Sequence, residues 1–286
     1  MARDVNLPYS STWCPGCGNF GIFNALKKTF DDAGLDLEQT ALVSGIGCSS
    51  KIAQYISTYR IETLHGRTLP VATGVKLANH SLTVIAEGGD GDGMGIGMGH
   101  FIHTARRNLD IAYFIHNNQI YGLTKGQSSP TSDLGAVTKF TPPPLGNVER
   151  PINIVQTAIS AGATFVARAF TGDIQELAAI MVQAIRHPGF AVVDILQPCV
   201  SFNKHNTYQW YRQRITPVAD LPGYAVADRE KALSLASLWG DKIPLGVFYR
   251  ETRPTFADSL PQLAGLPLSA RPVDNIGIAG LMAEMA

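Results

Sequence analysis

Between residues 40 and 196 the chain alternates compact apolar runs with stretches whose apolar residues recur every three or four positions, and this alternation constrains the fold most. Residues 40–44, 82–86, 111–116, 164–169 and 191–196 are short runs bounded by turn-forming residues, which reads as strands. Helical spacing occupies 52–57, 94–107, 152–161 and 174–186, and also Phe23, Leu26 and Phe30, which precede Gly34. Strands joined through helices pair in parallel, and a parallel sheet needs both faces covered. The expected fold class is therefore α/β, a parallel sheet with helices on both faces, its core ending near Pro198.

Residues 118–150 make a long connection rich in Gly, Ser, Thr and Pro, including Thr141-Pro142-Pro143-Pro144, and structureless connections of that length usually serve a site. Beyond Cys199 sustained periodicity fades, and seven of the 17 prolines lie at or after Pro217. The expected division is a diphosphate-binding domain over 1–199 and an irregular C-terminal arm over 200–286 that packs on the core or on a partner subunit.

Only 16% of residues are charged, against roughly 25% in an average soluble domain, and 45% are hydrophobic, which predicts surface buried against another chain. Lys plus Arg equals Asp plus Glu at 23 each, so there is no basic field to hold a nucleic acid or an anionic membrane. No apolar run approaches the roughly 20 residues of a membrane span, and the first residues carry no secretory apolar core. A cytoplasmic location is expected. Four cysteines there suit metal or redox chemistry better than disulfides.

Gly89-Asp90-Gly91-Asp92-Gly93 follows one apolar run directly and precedes a helical stretch. Glycines admit a phosphate close to the backbone, a helix start offers unpaired N–H groups, and an aspartate holds a divalent cation between two phosphates. Asn117-Asn118 ends the next strand, at the edge where open α/β sheets bind ligands. Asp90 and the Asn118 amide oxygen thus have the placement to share one Mg²⁺; the plainer alternative is a helix cap beside an ordinary turn.

Cys14 and Cys17 flank a Pro-Gly turn, Cys48 lies in the small-residue loop Gly45-Ile46-Gly47-Cys48-Ser49-Ser50, and Cys199 follows Pro198 at a strand end. Four thiolates suit tetrahedral Zn²⁺ or an iron–sulfur cluster, and spacing alone does not choose between them. A dithiol redox pair or buried apolar thiols remain equally open on the residues themselves.

Gly89-Asp90-Gly91 with Asn117-Asn118 resembles the signature of the thiamine-diphosphate enzymes. In them the aspartate, an asparagine and a main-chain carbonyl two residues later bind Mg²⁺, which implies Asp90, Asn118 and Ile120. Together with Thr12-Trp13-Cys14-Pro15-Gly16-Cys17-Gly18, the Cys48 loop, His65-Gly66-Arg67 and Asn117 to Gln127, the chain from about 8 to 210 is similar to the β subunits of 2-oxoacid:ferredoxin oxidoreductases. That resemblance implies one [4Fe–4S] cluster on Cys14, Cys17, Cys48 and Cys199, and thiamine diphosphate lined by Ile46, Gly47, Cys48, Ser49, His65, Gly91, Asp92, Gly122 and Leu123. It further implies coenzyme A as co-substrate, ferredoxin as electron acceptor, and an α subunit supplying the pyrimidine half of the site. No eight-cysteine extension is present, which suits the two-subunit, single-cluster branch, and the tail beyond Pro217 carries no matching motif.

His65 and Lys51 are the candidate catalytic side chains. Lys51 stands three residues after Cys48, and a lysine beside the reacting carbon is costly to desolvate unless an anion meets it. The distal carboxylate of 2-oxoglutarate meets that need where pyruvate does not, so 2-oxoglutarate is the favoured substrate and pyruvate the second. Two alternatives from other classes are a non-oxidative thiamine-dependent decarboxylase or ligase, and a zinc-stabilised, non-catalytic binding subunit.

Overall fold

A computed structural model describes residues 5–272 and 277–285; residues 1–4, the start of the opening segment read above, lie outside the described residues. In chain order the elements are α1 (Asn19–Ala33), β1 (Thr40–Ser44), β2 (Tyr59–Glu62), α2 (Thr68–Ala78), β3 (Thr83–Gly89), α3 (Met98–Arg107), β4 (Ile111–Asn117), β5 (Ile120–Tyr121), β6 (Gln127–Ser128) and α4 (Ile154–Ala161). Then follow β7 (Phe165–Phe170), α5 (Ile174–Arg186), β8 (Phe190–Leu196), α6 (Tyr208–Arg212), β9 (Ile215–Pro217), α7 (Arg229–Ala236), β10 (Ile243–Arg250) and α8 (Ala279–Glu284).

Eight strands form one sheet in the order β2-β1-β3-β4-β8-β7-β10-β9, parallel from β2 through β7. Alternate side chains on each strand enter opposite cores, the period-two geometry of a strand. Leu42, Ile85 and Phe114 pack under α1 and α5, whereas Val43, Ala86 and Tyr113 pack under α2, α3, α4 and α7. Both faces are thus covered, as the sequence predicts. Parallel pairing also puts the C-terminal ends of β1, β3, β4 and β8 at one edge, and these ends lead into Gly45–Cys48, Asp90–Gly93, Asn118 and Gln197–Cys199. Among the described residues no helix is long and apolar enough to cross a membrane.

Two expectations are corrected. The core does not end near Pro198: β10 pairs antiparallel with β7, and Val218, Ala232, Ala236 and Phe248 are buried in the same core as Phe101. Pro244 and Gly246 inside β10, and its bulge between Val247 and Tyr249, hide the strand's alternation. After Arg250 the described chain is irregular as expected, with short turns and α8. The helix expected over 94–107 is also broken: Asp92–Ile96 winds as a wide π turn with non-helical Gly95, and α3 starts at Met98. Gly93, Gly95 and Gly97 carry no Cβ to hold the regular winding.

Candidate functional site

At the end of β3 the Asp90 carboxylate is buried, and its Oδ2 accepts the Ser129 and Thr131 hydroxyls at 2.5 and 2.6 Å. The backbone N–H groups of Gly91 and Asn118 also donate to it, so the two halves of the diphosphate motif touch. Burial nevertheless dominates and pushes its carboxyl up to about 6. The Asn118 side-chain oxygen accepts the Ile120 N–H at 3.1 Å, its amide donates to Gln197 at 3.0 Å, and its main-chain oxygen accepts from Asn203 at 3.1 Å. Gln119 between them takes a φ of 58°, the left-handed bend that turns the chain from β4 toward Ile120.

Around this turn lies a cavity of about 420 Å³, and its wall contains Ile46, Gly47, Cys48, Ser49, His65, Asp90, Gly91, Asp92, Asn118, Ile120, Gly122 and Leu123. The Asp92 carboxylate faces its own protein: Oδ1 accepts the Ile46 and Gly66 N–H groups at 3.1 and 2.8 Å and lies 3.0 Å from His65 Nδ1. Engaging Nδ1 leaves the other ring nitrogen of His65 for a ligand. A Cβ on Gly91 would collide with the Tyr121 ring, and one on Gly45 with Asp92, so both glycines are required by close approach. Ser49 Oγ is buried without a partner in the same wall. An orphaned hydroxyl, a glycine-lined backbone and a buried carboxylate form a donor set that suits a Mg²⁺ diphosphate.

All four cysteines are free thiols and line one small cavity. Cys17 comes into place because its turn closes through its own N–H on the Cys14 carbonyl at 3.0 Å, while Gly18 donates to the Pro198 carbonyl beside Cys199. Trp13 Nε1 donates to the Cys48 carbonyl at 2.6 Å, and Gln197 Nε2 donates to the Cys17 sulfur at 3.4 Å. Burial pushes the Cys17 thiol up to about 12, with Cys199, Cys48 and Cys14 adding to the rise. One Zn²⁺ holds each sulfur about 2.3 Å from a common point. Among the described residues no three Cys, His, Asp or Glu side chains close on a point in that way. The one cavity thus gathers all four thiols, the donor set that a metal group with thiolate ligands uses.

The resemblance places Lys51 in the loop beside the thiazolium, whereas Lys51 is not among the residues that line the cavity at the diphosphate turn. Its ammonium donates to Thr12 Oγ1 at 2.9 Å, at the cysteine cavity, and counters part of the burial that raises the Cys48 thiol. Cys48, Asn118 and Gly122 line both cavities, so the two sites share a wall.

Residues 45–195 match the family of thiamine pyrophosphate enzymes, C-terminal TPP binding domain, and 199–265 match the C-terminal part of the pyruvate ferredoxin oxidoreductase beta subunit. The 2-oxoacid:ferredoxin oxidoreductase subunit beta of Saccharolobus solfataricus is 42% identical over 287 residues, 92% of this chain and 93% of that protein. The chain belongs to the 2-oxoacid:ferredoxin oxidoreductase β-subunit family. This β subunit is 39% identical to the 2-oxoglutarate synthase subunit KorB of Archaeoglobus fulgidus, over 91% of this chain and 92% of that one. A solved 2-oxoglutarate:ferredoxin oxidoreductase from Magnetococcus marinus, with 2-oxoglutarate, coenzyme A and succinyl-CoA bound, superposes with a TM-score of 0.89 at 38% identity and covers 99% of this chain and 95% of its own.

Several site residues of this β subunit escape sequence reading. Ser129 and Thr131 reach Asp90 across 39 and 41 residues, and only the hydroxyl-rich run after Asn117-Asn118 hints at them. Gln197 touches both Asn118 and Cys17, and its one sequence signal is adjacency to Pro198-Cys199.

Proposed function

We propose that this β subunit binds thiamine diphosphate through Mg²⁺ held by Asp90, Asn118 and the Ile120 carbonyl, and one [4Fe–4S] cluster through Cys14, Cys17, Cys48 and Cys199. With its α subunit it oxidatively decarboxylates a 2-oxoacid to acyl-CoA and CO₂ and passes the electrons to ferredoxin. 2-Oxoglutarate is the favoured acid and pyruvate the second, a preference supported by the names of the relatives and by the ligands in the similar solved structure. The observation that carries the reading is the shared wall: Cys48, Asn118 and Gly122 border both cavities, which supports electron transfer between neighbouring sites.

Bound thiamine diphosphate supplies the carbanion-stabilising centre, and the cluster the one-electron acceptor, that side chains lack. The chain's own residues do the rest. Ser129 and Thr131 fix the rotamer of Asp90, the charged ligand of the set. Asp92 fastens the Ile46 and Gly66 backbone to the diphosphate turn, and through His65 Nδ1 it orients the imidazole toward the cavity. Lys51 is proposed to leave Thr12 and meet the distal carboxylate of the substrate, a movement its flexible stem permits.

The test is to purify the αβ complex without oxygen, measure iron and acid-labile sulfide, and compare 2-oxoacids as electron donors to a viologen dye. Four irons per β subunit and fastest reduction with 2-oxoglutarate are expected. Stoichiometric zinc without iron overturns the cluster, and decarboxylation without dye reduction moves the protein to the non-oxidative class.

A further inference from the structure

Val166, Val192 and Ile115 are buried in one core on β7, β8 and β4, and the next side chain along each strand on that face is polar: Arg168, Asp194 and Asn117. All three are buried, Arg168 and Asp194 with 1% of their surface exposed. They are also joined. Arg168 Nε donates to Asp194 Oδ2 at 2.8 Å, and the Asn117 amide donates to Asp194 Oδ1 at 2.9 Å. With its nitrogen held there, Asn117 turns its oxygen to the Thr131 hydroxyl, which lies 3.1 Å away and 2.6 Å from Asp90 Oδ2. A reversed amide would set its oxygen against the Asp194 carboxylate, so that charge fixes which end of Asn117 faces Thr131. One buried line thus crosses β7, β8 and β4 and ends on the carboxylate proposed to hold Mg²⁺.

At the far end of the line, two aromatic rings stand beside the guanidinium. Arg168 Nη1 is buried without a hydrogen-bond partner, and the group lies 5.4 Å from the centre of the Trp239 ring and 5.5 Å from that of Phe248. Aromatic faces at that range attract a cation. Both rings come from beyond Pro217, in the stretch whose sequence carries no motif. Apolar residues of similar volume commonly match a buried ion pair in stability, so the fold alone has little need of this one.

We propose that Arg168 is a positioning residue for the metal site: seated against Trp239 and Phe248, it holds Asp194, and through Asn117 and Thr131 it sets the orientation of Asp90. The inference rests on the reading that Asp90 binds the Mg²⁺ of thiamine diphosphate, and it gives the C-terminal region a part in that site. Ser129 reaches the same carboxylate oxygen at 2.5 Å without belonging to the line, so breaking the line weakens the site and does not abolish it.

The test is calorimetric titration of thiamine diphosphate into the αβ complex over a range of Mg²⁺ concentrations. Replacing both charges with apolar side chains, Arg168→Met with Asp194→Leu, avoids leaving one buried charge alone. This double variant is expected to keep the circular dichroism of wild type and to need about tenfold more Mg²⁺ for half-maximal cofactor binding. At saturating Mg²⁺ its cofactor affinity should return close to wild type, which a general loosening of the fold would not allow. Thr131→Val should raise the Mg²⁺ requirement by a similar factor, and adding it to the double variant should raise it no further, because both break one line. Trp239→Leu should raise it about threefold, and Trp239→Phe, which restores a ring, should recover most of that. Both Trp239 variants lose the bond to Asp133, so the difference between them reads the ring alone, and it does so even if the double variant fails to assemble. A Mg²⁺ requirement unmoved in the double variant or in Trp239→Leu, additive effects with Thr131→Val, or a loss that persists at saturating Mg²⁺ overturns the inference. Wild-type complex that binds the cofactor without Mg²⁺ overturns the metal reading itself, and this one with it.

Discussion

His65 Nδ1 lies 3.0 Å from Asp92 Oδ1, and the same oxygen accepts the backbone N–H groups of Ile46 and Gly66. One carboxylate thereby pins two loops and a histidine to the diphosphate turn. Charge-assisted bonds are roughly twice as strong as neutral ones. Asp92→Asn is expected to keep the fold but loosen the cradle, weakening thiamine diphosphate binding about tenfold, or about 1.4 kcal/mol. Calorimetry on the αβ complex reads it directly; unchanged affinity would show that the loops hold their places without that charge.

Asp90→Ala should have the larger effect, because Asp90 carries the charge of the proposed metal set. Mg²⁺-dependent thiamine diphosphate binding should vanish while the circular dichroism of the complex stays that of wild type. Should the cofactor bind equally well with and without Asp90, the aspartate is a cap at the end of β3 and nothing more.

The local halves of both motifs were legible in the sequence because each depends on residues a few positions apart. The Pro-Gly turn between Cys14 and Cys17 and the strand-ending Gly89-Asp90-Gly91 act locally, and the backbone realises them nearly where they are read. The run 174–186 becomes α5 with the same bounds because Asp173 caps it by accepting the Glu176 N–H. What stayed hidden is long-range. The hydroxyls on Asp90 come from a connection whose composition says only that it is a loop, and β10 carries a proline and a glycine that erase its alternation. The direction of the Lys51 side chain was equally hidden, since four rotatable bonds let tertiary contacts choose between Thr12 and the diphosphate cavity.

A pH dependence follows from His187, which is buried with Nε2 at 2.8 Å from Thr164 Oγ1. Burial, and then the positive charge of Arg250, hold its imidazole down at about 4. The unfolded chain takes up that proton near 6.5 and the folded chain does not, so this contribution is full above pH 6.5 and is lost as pH falls toward 4. The loss should reach at most about 3 kcal/mol, from roughly 1.4 kcal/mol per unit. Urea unfolding of wild type and His187→Gln at pH 7.5 and 5 measures it: the stability difference between the two proteins should shift toward the variant at the lower pH. A difference that does not change with pH would mean that the imidazole protonates in place.

Lys51 sets the final test, because the substrate preference depends on it. Its ammonium is seated on Thr12, yet it acts electrostatically on Cys48, which borders the diphosphate cavity. Moving from a neutral hydroxyl to a carboxylate exchanges an ordinary hydrogen bond for a charge-assisted one, which favours the move only when the substrate has a second carboxylate. 2-Oxoglutarate has one and pyruvate does not. Lys51→Ile should therefore cost 2-oxoglutarate about 1–3 kcal/mol in kcat/KM, mostly through KM, and spare or improve pyruvate, which loses an unpaired cation from beside its path. The decisive quantity is the ratio of kcat/KM for the two acids in both proteins. A ratio that the substitution leaves unmoved would assign Lys51 to the cysteine rim alone, and the preference for a dicarboxylate would then have to come from the α subunit.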